Sequence, residues 1–167
     1  MLYCIIMKLL IMSDSHRRID LMRNAVDESE PDAVLHLGDH FADARELSLR
    51  YPGLAFHMVT GNCDYETAGA DSELFLSFED VHIYMAHGHQ YAVKNGLHPF
   101  ITSTRRMGAD LALFGHTHKA LIHKTRGLTI MNPGQMLRHD GGISASYGIV
   151  TVTGEKFQCE IVNLPLK

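Results

Sequence analysis

Asp14, His16, Asp39, Asn62, His87, His116 and His118 are the side chains whose types and positions point to chemistry. Each comes directly after a short apolar run: LLIMS precedes Asp14 and His16, VLHLG precedes Asp39, HMVTG precedes Asn62, VHIYMA precedes His87, and LALFG precedes His116 and His118. A single carboxylate in such a place more often caps a helix, and a single histidine is more often a packing or rim residue. Five endings of one kind are harder to assign to capping, because no helix-start pattern follows Asn62, His87, His116 or His118. The set therefore reads as a metal site.

The residue types narrow the metal. Imidazole, carboxylate and amide oxygen without thiolate suit manganese, iron, nickel, zinc or cobalt. A structural zinc ion would take four tight cysteine or histidine ligands. Seven donors are too many for one tetrahedral ion and suffice for two, provided that one carboxylate bridges. The spaced pairs Asp14-x-His16 and His116-x-His118 each put two donors at one strand-to-loop junction. Cys4, Cys63 and Cys159 are odd in number and form no C-x-x-C pair, so neither a disulfide framework nor a zinc-thiolate site is expected. A reducing cytoplasm fits this usage.

The elements that must position these residues alternate. Leu9 to Met12, Ala33 to Leu37 and Ala55 to Val59 read as strands. Ile19, Leu21, Met22, Ala25 and Val26 recur at near-helical spacing, as do Phe41, Ala44 and Leu47, and Pro31 and Pro52-Gly53 end those helices. This is the pattern of β-α-β units and a largely parallel sheet, where ligands bind beyond the carboxyl ends of the strands. In the second half, 74–78, 81–86, 111–114, 120–124, 128–131, 147–152 and 157–162 read as strands and 97–107 as a helix. They are expected to form a second, mostly antiparallel sheet packed on the first.

Composition bounds the function. The 167 residues fit one domain, 1–167, able to bury roughly 70% of its unfolded surface. The apolar opening MLYCIIMKLLIM is broken by Lys8 and followed by Asp14, so it reads as a buried strand rather than a span or a secretion signal. Met7 begins a more typical opening, so the first six residues read either as an optional extension or as an artefact of start-site choice. A formal net charge of −4 and the lack of any Lys/Arg run argue against tight nucleic-acid binding. The 12 histidines are unusually many. Those at 36, 40, 57, 82, 98, 123 and 139 read as surface or packing residues, and Arg17 and Arg138 as solvated arginines outside the site.

The ordered pieces D-S-H at 14–16, G-D at 38–39, G-N-C-D at 61–64, H-G-H at 87–89 and G-H-T-H at 115–118 resemble the calcineurin-like metallophosphoesterase superfamily. N-P-G at 132–134 resembles a turn motif of its small single-domain bacterial and archaeal phosphodiesterase branch. The resemblance implies an α/β fold, a four-layer α/β/β/α sandwich of two mixed sheets flanked by helices. It implies one divalent ion held by Asp14, His16, Asp39 and His118 and a second held by Asp39, Asn62, His87 and His116, with Asp39 bridging. Manganese is the first expectation, with nickel, zinc, iron and cobalt as alternatives.

The resemblance also implies in-line attack on phosphorus by a water activated between the two ions, with no protein nucleophile. Asp39, Asn62 and His89 are the candidate catalytic residues. In many members a histidine follows the motif asparagine and helps protonate the leaving oxygen, but Cys63 stands there in this chain. A thiol is a poor substitute for imidazolium, so diesters and aryl esters should be cleaved better than alkyl monoesters. His89 is the remaining histidine able to contact substrate or act as an acid, and Asp64 either orients a neighbouring ligand or caps a turn. The expected partner is a small phosphodiester, without a stable nucleic-acid complex or a membrane, and homo-oligomers are open. The alternatives are a non-catalytic binding or scaffold protein of the same fold, as a subunit of the eukaryotic retromer coat is, or a nuclease.

Overall fold

The computed structural model describes residues 5–65, 67, 69–137 and 144–164. Arg138, His139 and most of the optional opening lie outside the described residues. Ten strands and three α-helices follow in the order β1 Ile6–Met12, α1 Ile19–Ser29, β2 Ala33–His36, α2 Phe41–Arg50, β3 Ala55–Met58, β4 Glu73–Phe78, β5 Val81–Ala86, α3 His98–Arg106, β6 Leu111–Leu113, β7 Leu121–Thr125, β8 Leu128–Asn132, β9 Ser146–Thr153 and β10 Lys156–Asn163. Every predicted strand and helix is present, with ends that differ by a residue or a few.

The strands form two mixed five-stranded sheets, β10-β9-β1-β2-β3 and β4-β5-β6-β8-β7. In the first sheet β1, β2 and β3 run parallel, and β9 lies antiparallel on the other side of β1. In the second, β5, β6 and β8 run parallel and β4 and β7 are antiparallel at the edges. The expectation of a mostly antiparallel second sheet is therefore corrected in two ways. Two of its four pairings are parallel, and β9 and β10 return to complete the first sheet. Alternation shows which side chains of a strand share a face, but not which strand it pairs with.

Strand alternation builds the layers. Leu9 and Ile11 of β1 face the second sheet and pack with Ile83, Met85, Leu111, Leu113 and Met131. Leu10 and Met12 turn the other way, onto Leu21, Met22, Ala25 and Val26 of α1 and Ala44 and Leu47 of α2. On the far side, Tyr84, Ala112 and Ile130 pack with Phe100 of α3. The order across the molecule is helices, sheet, sheet, helix, the four-layer α/β/β/α sandwich expected. The spacing of Leu21, Met22, Ala25 and Val26 puts α1's apolar stripe on one side, and the left-handed Glu30 (φ 44°) and then Pro31 end the helix. Truncating a fully buried leucine between the sheets to alanine would cost about 2–5 kcal/mol. No described helix is long and apolar enough to cross a membrane.

Candidate metal centre

The carboxyl ends of β1, β2 and β3 in one sheet and of β5 and β6 in the other open at the same edge of the sandwich. The hydrogen-bond ladder continues past the strand ends: Leu37 N–H donates to Met12 O over 2.8 Å, Val59 N–H to His36 O over 3.0 Å, and Asp14 N–H to Gly38 O over 3.0 Å. Gly115 N–H crosses to His87 O over 3.0 Å. Glycine lets these loops touch. A Cβ on Gly61 would collide with the Asp39 carboxylate, and one on Gly115 with Ser13 Oγ.

Asp14, His16, Asp39 and His118 present ligand atoms that all lie within 4.8 Å of one another, and so do Asp39, His87 and His116. Asp39 belongs to both groups. Asn62 joins the second, with its Oδ1 3.1 Å from His87 Nε2. All seven residues predicted from the strand endings thus come together. His89 sits at the exposed rim, its ring 5.5 Å from that of His87 and 6.2 Å from that of His116.

The backbone of the site is unusual. Among the described residues, ten non-glycine positions have positive φ, and seven of them are Asp14, His16, Arg17, Asp39, His40, His116 and His118. Left-handed backbone costs an L-residue about 1–2 kcal/mol. Its concentration here means that packing elsewhere holds the donors in place.

Hydrogen bonds aim the side chains. Asp14 Oδ2 accepts from Ser13 Oγ (2.6 Å) and from His116 N–H (3.1 Å), which leaves buried Oδ1 3.0 Å from His118 Nε2. Asp39 Oδ1 accepts from Cys63 N–H at 2.9 Å and lies 3.4 Å from His87 Nε2. His87 Nδ1 is 2.8 Å from Leu37 O. A carbonyl only accepts, so Nδ1 carries the hydrogen and the Nε2 lone pair of neutral His87 faces Asn62 Oδ1 and Asp39 Oδ1. Three acceptors thus converge without a hydrogen among them, and a proton on Nε2 or a cation between them resolves the conflict. Buried His16 Nε2 and Asp14 Oδ1 likewise have no hydrogen-bond partner among the described residues. The donors present fit divalent cations.

Electrostatics agree. Burial, then the charges of His87 and Lys94, push His116 down to about 4, and burial also lowers His16, so both are neutral donors at pH 7. Burial would raise Asp14 and Asp39, but the imidazoles of His118 and His87 beside them outweigh it and hold both carboxyls below their ordinary range. For His87 burial is outweighed by Asp39 and Asp14, which raise its pKa.

Other residues support the site, among them Asp43, which was not singled out from the sequence, and Asn132, which was read only as part of the N-P-G turn. Asn132, at the end of β8, donates from Nδ2 to Gly115 O (2.8 Å) and Thr117 Oγ1 (3.0 Å), which braces the loop of His116 and His118. Buried Asp43 accepts from Ser15 Oγ (2.8 Å) and Arg17 N–H (2.7 Å). Asp64, read as either orienting a neighbouring ligand or capping a turn, caps: its two oxygens accept from Phe41 N–H at the start of α2 and from Gly61 N–H, each at 2.8 Å. His36 is fully buried, a packing residue as expected. His40 also packs, its ring 4.9 Å from that of His16, but against the site itself.

Residues 7–155 match the family model described as the calcineurin-like phosphoesterase superfamily domain. The chain is 33% identical over 152 residues to the probable metallophosphoesterase YsnB of Bacillus subtilis, covering 89% of this chain and 86% of that one. It is 24% identical over 179 residues to the phosphodiesterase MJ0936 of Methanocaldococcus jannaschii, covering 93% and 99%. A solved Streptococcus pneumoniae structure, described as a conserved uncharacterised protein and predicted phosphoesterase, superposes with a TM-score of 0.79 at 24% identity, covering 96% and 91%.

Proposed function

The chain belongs to the calcineurin-like phosphoesterase superfamily, and from that premise we propose that it is a single-domain cytoplasmic phosphodiesterase that uses two divalent metal ions to hydrolyse small phosphodiesters. The observation that carries this reading is Asp39, whose carboxylate is common to both donor groups. Asp14, His16, Asp39 and His118 would hold one ion, and Asp39, Asn62, His87 and His116 the other. Manganese is proposed first, and nickel, zinc, iron or cobalt suit the same donors. Bound there, the ions would lower the pKa of a water and neutralise phosphate charge.

The chain's own residues orient and exclude. Ser13 and the His116 N–H fix one Asp14 oxygen, Leu37 O fixes the His87 ring, and Asn132 holds the loop that carries two histidines. His89 at the rim is the candidate to hold or pass a proton at the ester oxygen that departs. Burial, and then the neighbouring Asp39 carboxylate, push the Cys63 thiol up to about 11, so it stays protonated at neutral pH and is a poor acid. That supports diesters and aryl esters over alkyl monoesters as substrates. The convergence of seven donors supports an enzyme over a non-catalytic scaffold, and the net charge of −4 disfavours a nuclease acting on polymeric DNA or RNA.

The test is hydrolysis of bis-p-nitrophenyl phosphate and p-nitrophenyl phosphate by chelated protein, with manganese, nickel, cobalt, zinc or magnesium restored singly. Metal-dependent cleavage, stronger on the diester, is expected. A folded protein that turns over neither ester with any metal overturns the reading.

A further inference from the structure

Beside the donor groups lies a cavity of about 700 Å³ whose lining includes Arg17, His40, Phe41, Arg45, Cys63 and Tyr65. It adjoins the proposed centre directly. The His40 ring packs on that of His16, and Cys63 donates its N–H to Asp39 Oδ1. An ester whose phosphorus lies at the centre would extend one arm into this space, whose size is usual for a small-molecule site.

The lining defines that arm. Arg17 and Arg45 have no side-chain hydrogen bond or ion pair among the described residues, whereas Arg18 is paired with Asp20 and Arg50 with Glu46. Asp64 also lines the cavity, but among the described residues it is committed to Gly61 and Phe41, and nearby Asp43 to Ser15 Oγ and the Arg17 backbone. Two guanidinium groups on a concave wall suit a second anion, and guanidinium geometry favours phosphate. Arg17 is also held in left-handed backbone at φ 66°, a conformation that recurs where a side chain is aimed for use. Phe41 and Tyr65 add aromatic surface. Tyr65 is 90% exposed, which leaves its ring free to stack on a base.

We propose that this cavity is a subsite for a nucleotide arm, with Arg17 and Arg45 taking a terminal phosphate and Tyr65 and Phe41 a base, so that the favoured diesters are short 5′-phosphorylated dinucleotides. The proposal rests on the phosphodiesterase reading for its reaction. Water adds across the internucleotide P–O3′ bond, phosphorus gains the hydroxyl, the 3′ oxygen takes the proton, and pApA yields two molecules of adenosine 5′-monophosphate.

The experiment has a binding arm that needs no turnover. Calorimetry of the chelated protein should show adenosine 5′-monophosphate binding at least tenfold more tightly than adenosine or inorganic phosphate. Arg45→Gln should remove that tenfold advantage, Arg45→Lys should restore part of it, and Tyr65→Ala should weaken both nucleotide and nucleoside. In the kinetic arm, kcat/KM for pApA should exceed that for ApA, and Arg45→Gln should lower the pApA value at least tenfold more than the bis-p-nitrophenyl phosphate value. Equal, weak binding of all three probes that Arg45→Gln does not alter overturns the subsite, even if bis-p-nitrophenyl phosphate is cleaved. Arg45-dependent nucleotide binding without turnover of any diester supports the subsite and overturns the phosphodiesterase reading instead.

Discussion

The Nδ1–H of His87 donates to the backbone carbonyl of Leu37 over 2.8 Å, joining the end of a strand in one sheet to the end of a strand in the other. That contact fixes the ring so that Nε2 meets Asp39 Oδ1 at 3.4 Å, and it makes the shared carboxylate the point on which both donor groups depend.

Asp39→Asn keeps the shape and removes the charge. Activity on bis-p-nitrophenyl phosphate is expected to fall by more than 100-fold, beyond the 10–100-fold typical of groups that only orient a ligand. Metal bound per chain, measured by elemental analysis after gel filtration, should fall with it. Full metal content and activity would sink the bridging role.

Asn132→Ala frees the His116–His118 loop without touching a donor. Metal affinity or activity should drop about 10–100-fold while the fold persists by circular dichroism. Unchanged affinity in a competition titration would show that the loop needs no brace.

His89→Ala distinguishes a proton donor from a bystander. If His89 serves the departing oxygen, cleavage of an alkyl diester should slow by about 10²-fold or more, and p-nitrophenyl esters, which need little help, by much less. Equal kinetics on both substrates would dispose of the role.

Asp64→Ala leaves the N–H groups of Phe41 and Gly61 without their acceptor. The loss of stability should be about 2 kcal/mol. Urea unfolding of the chelated protein measures it, and an unshifted midpoint would mean that water replaces the carboxylate.

Burial pushes His36 down to about 4 from an ordinary 6.5. The unfolded chain therefore takes up a proton below pH 6.5 that the folded chain refuses until about pH 4, so stability is full above 6.5 and is lost as pH falls through that window. At pH 5 the His36 share is about 2 kcal/mol. His36→Gln should show a correspondingly shallower loss between pH 7 and pH 5 in urea titrations, and an identical slope would contradict it.

Much of this was legible in the sequence because the ligand positions are marked locally. An apolar run that stops at Asp, Asn or His carries its own boundary, so Asp14, Asp39, Asn62, His87 and His116 could be read without knowing any partner strand. The return of β9 to β1, which pairs Ile6 with Thr153, was not legible, because a pairing across nearly the whole chain leaves no local trace. Asp43 was missed, and Asn132 was read only as part of a turn motif, for a related reason. Their work is to hold backbone groups far away in sequence, and neither residue type signals that. Arg17 reads as solvated from its neighbours alone, and only its left-handed backbone and the cavity it lines give it another use.

All seven proposed donors lie within five residues of a strand end, and the stretches between Asn62 and β4 and between His89 and α3 contribute none. Both spans border the cleft, the first tied to the fold through Cys63 and Asp64 and the second through buried Val93. Between those ties the remaining positions hold no donor, so kindred proteins can trade one substrate for another there while the reacting centre stays as it is.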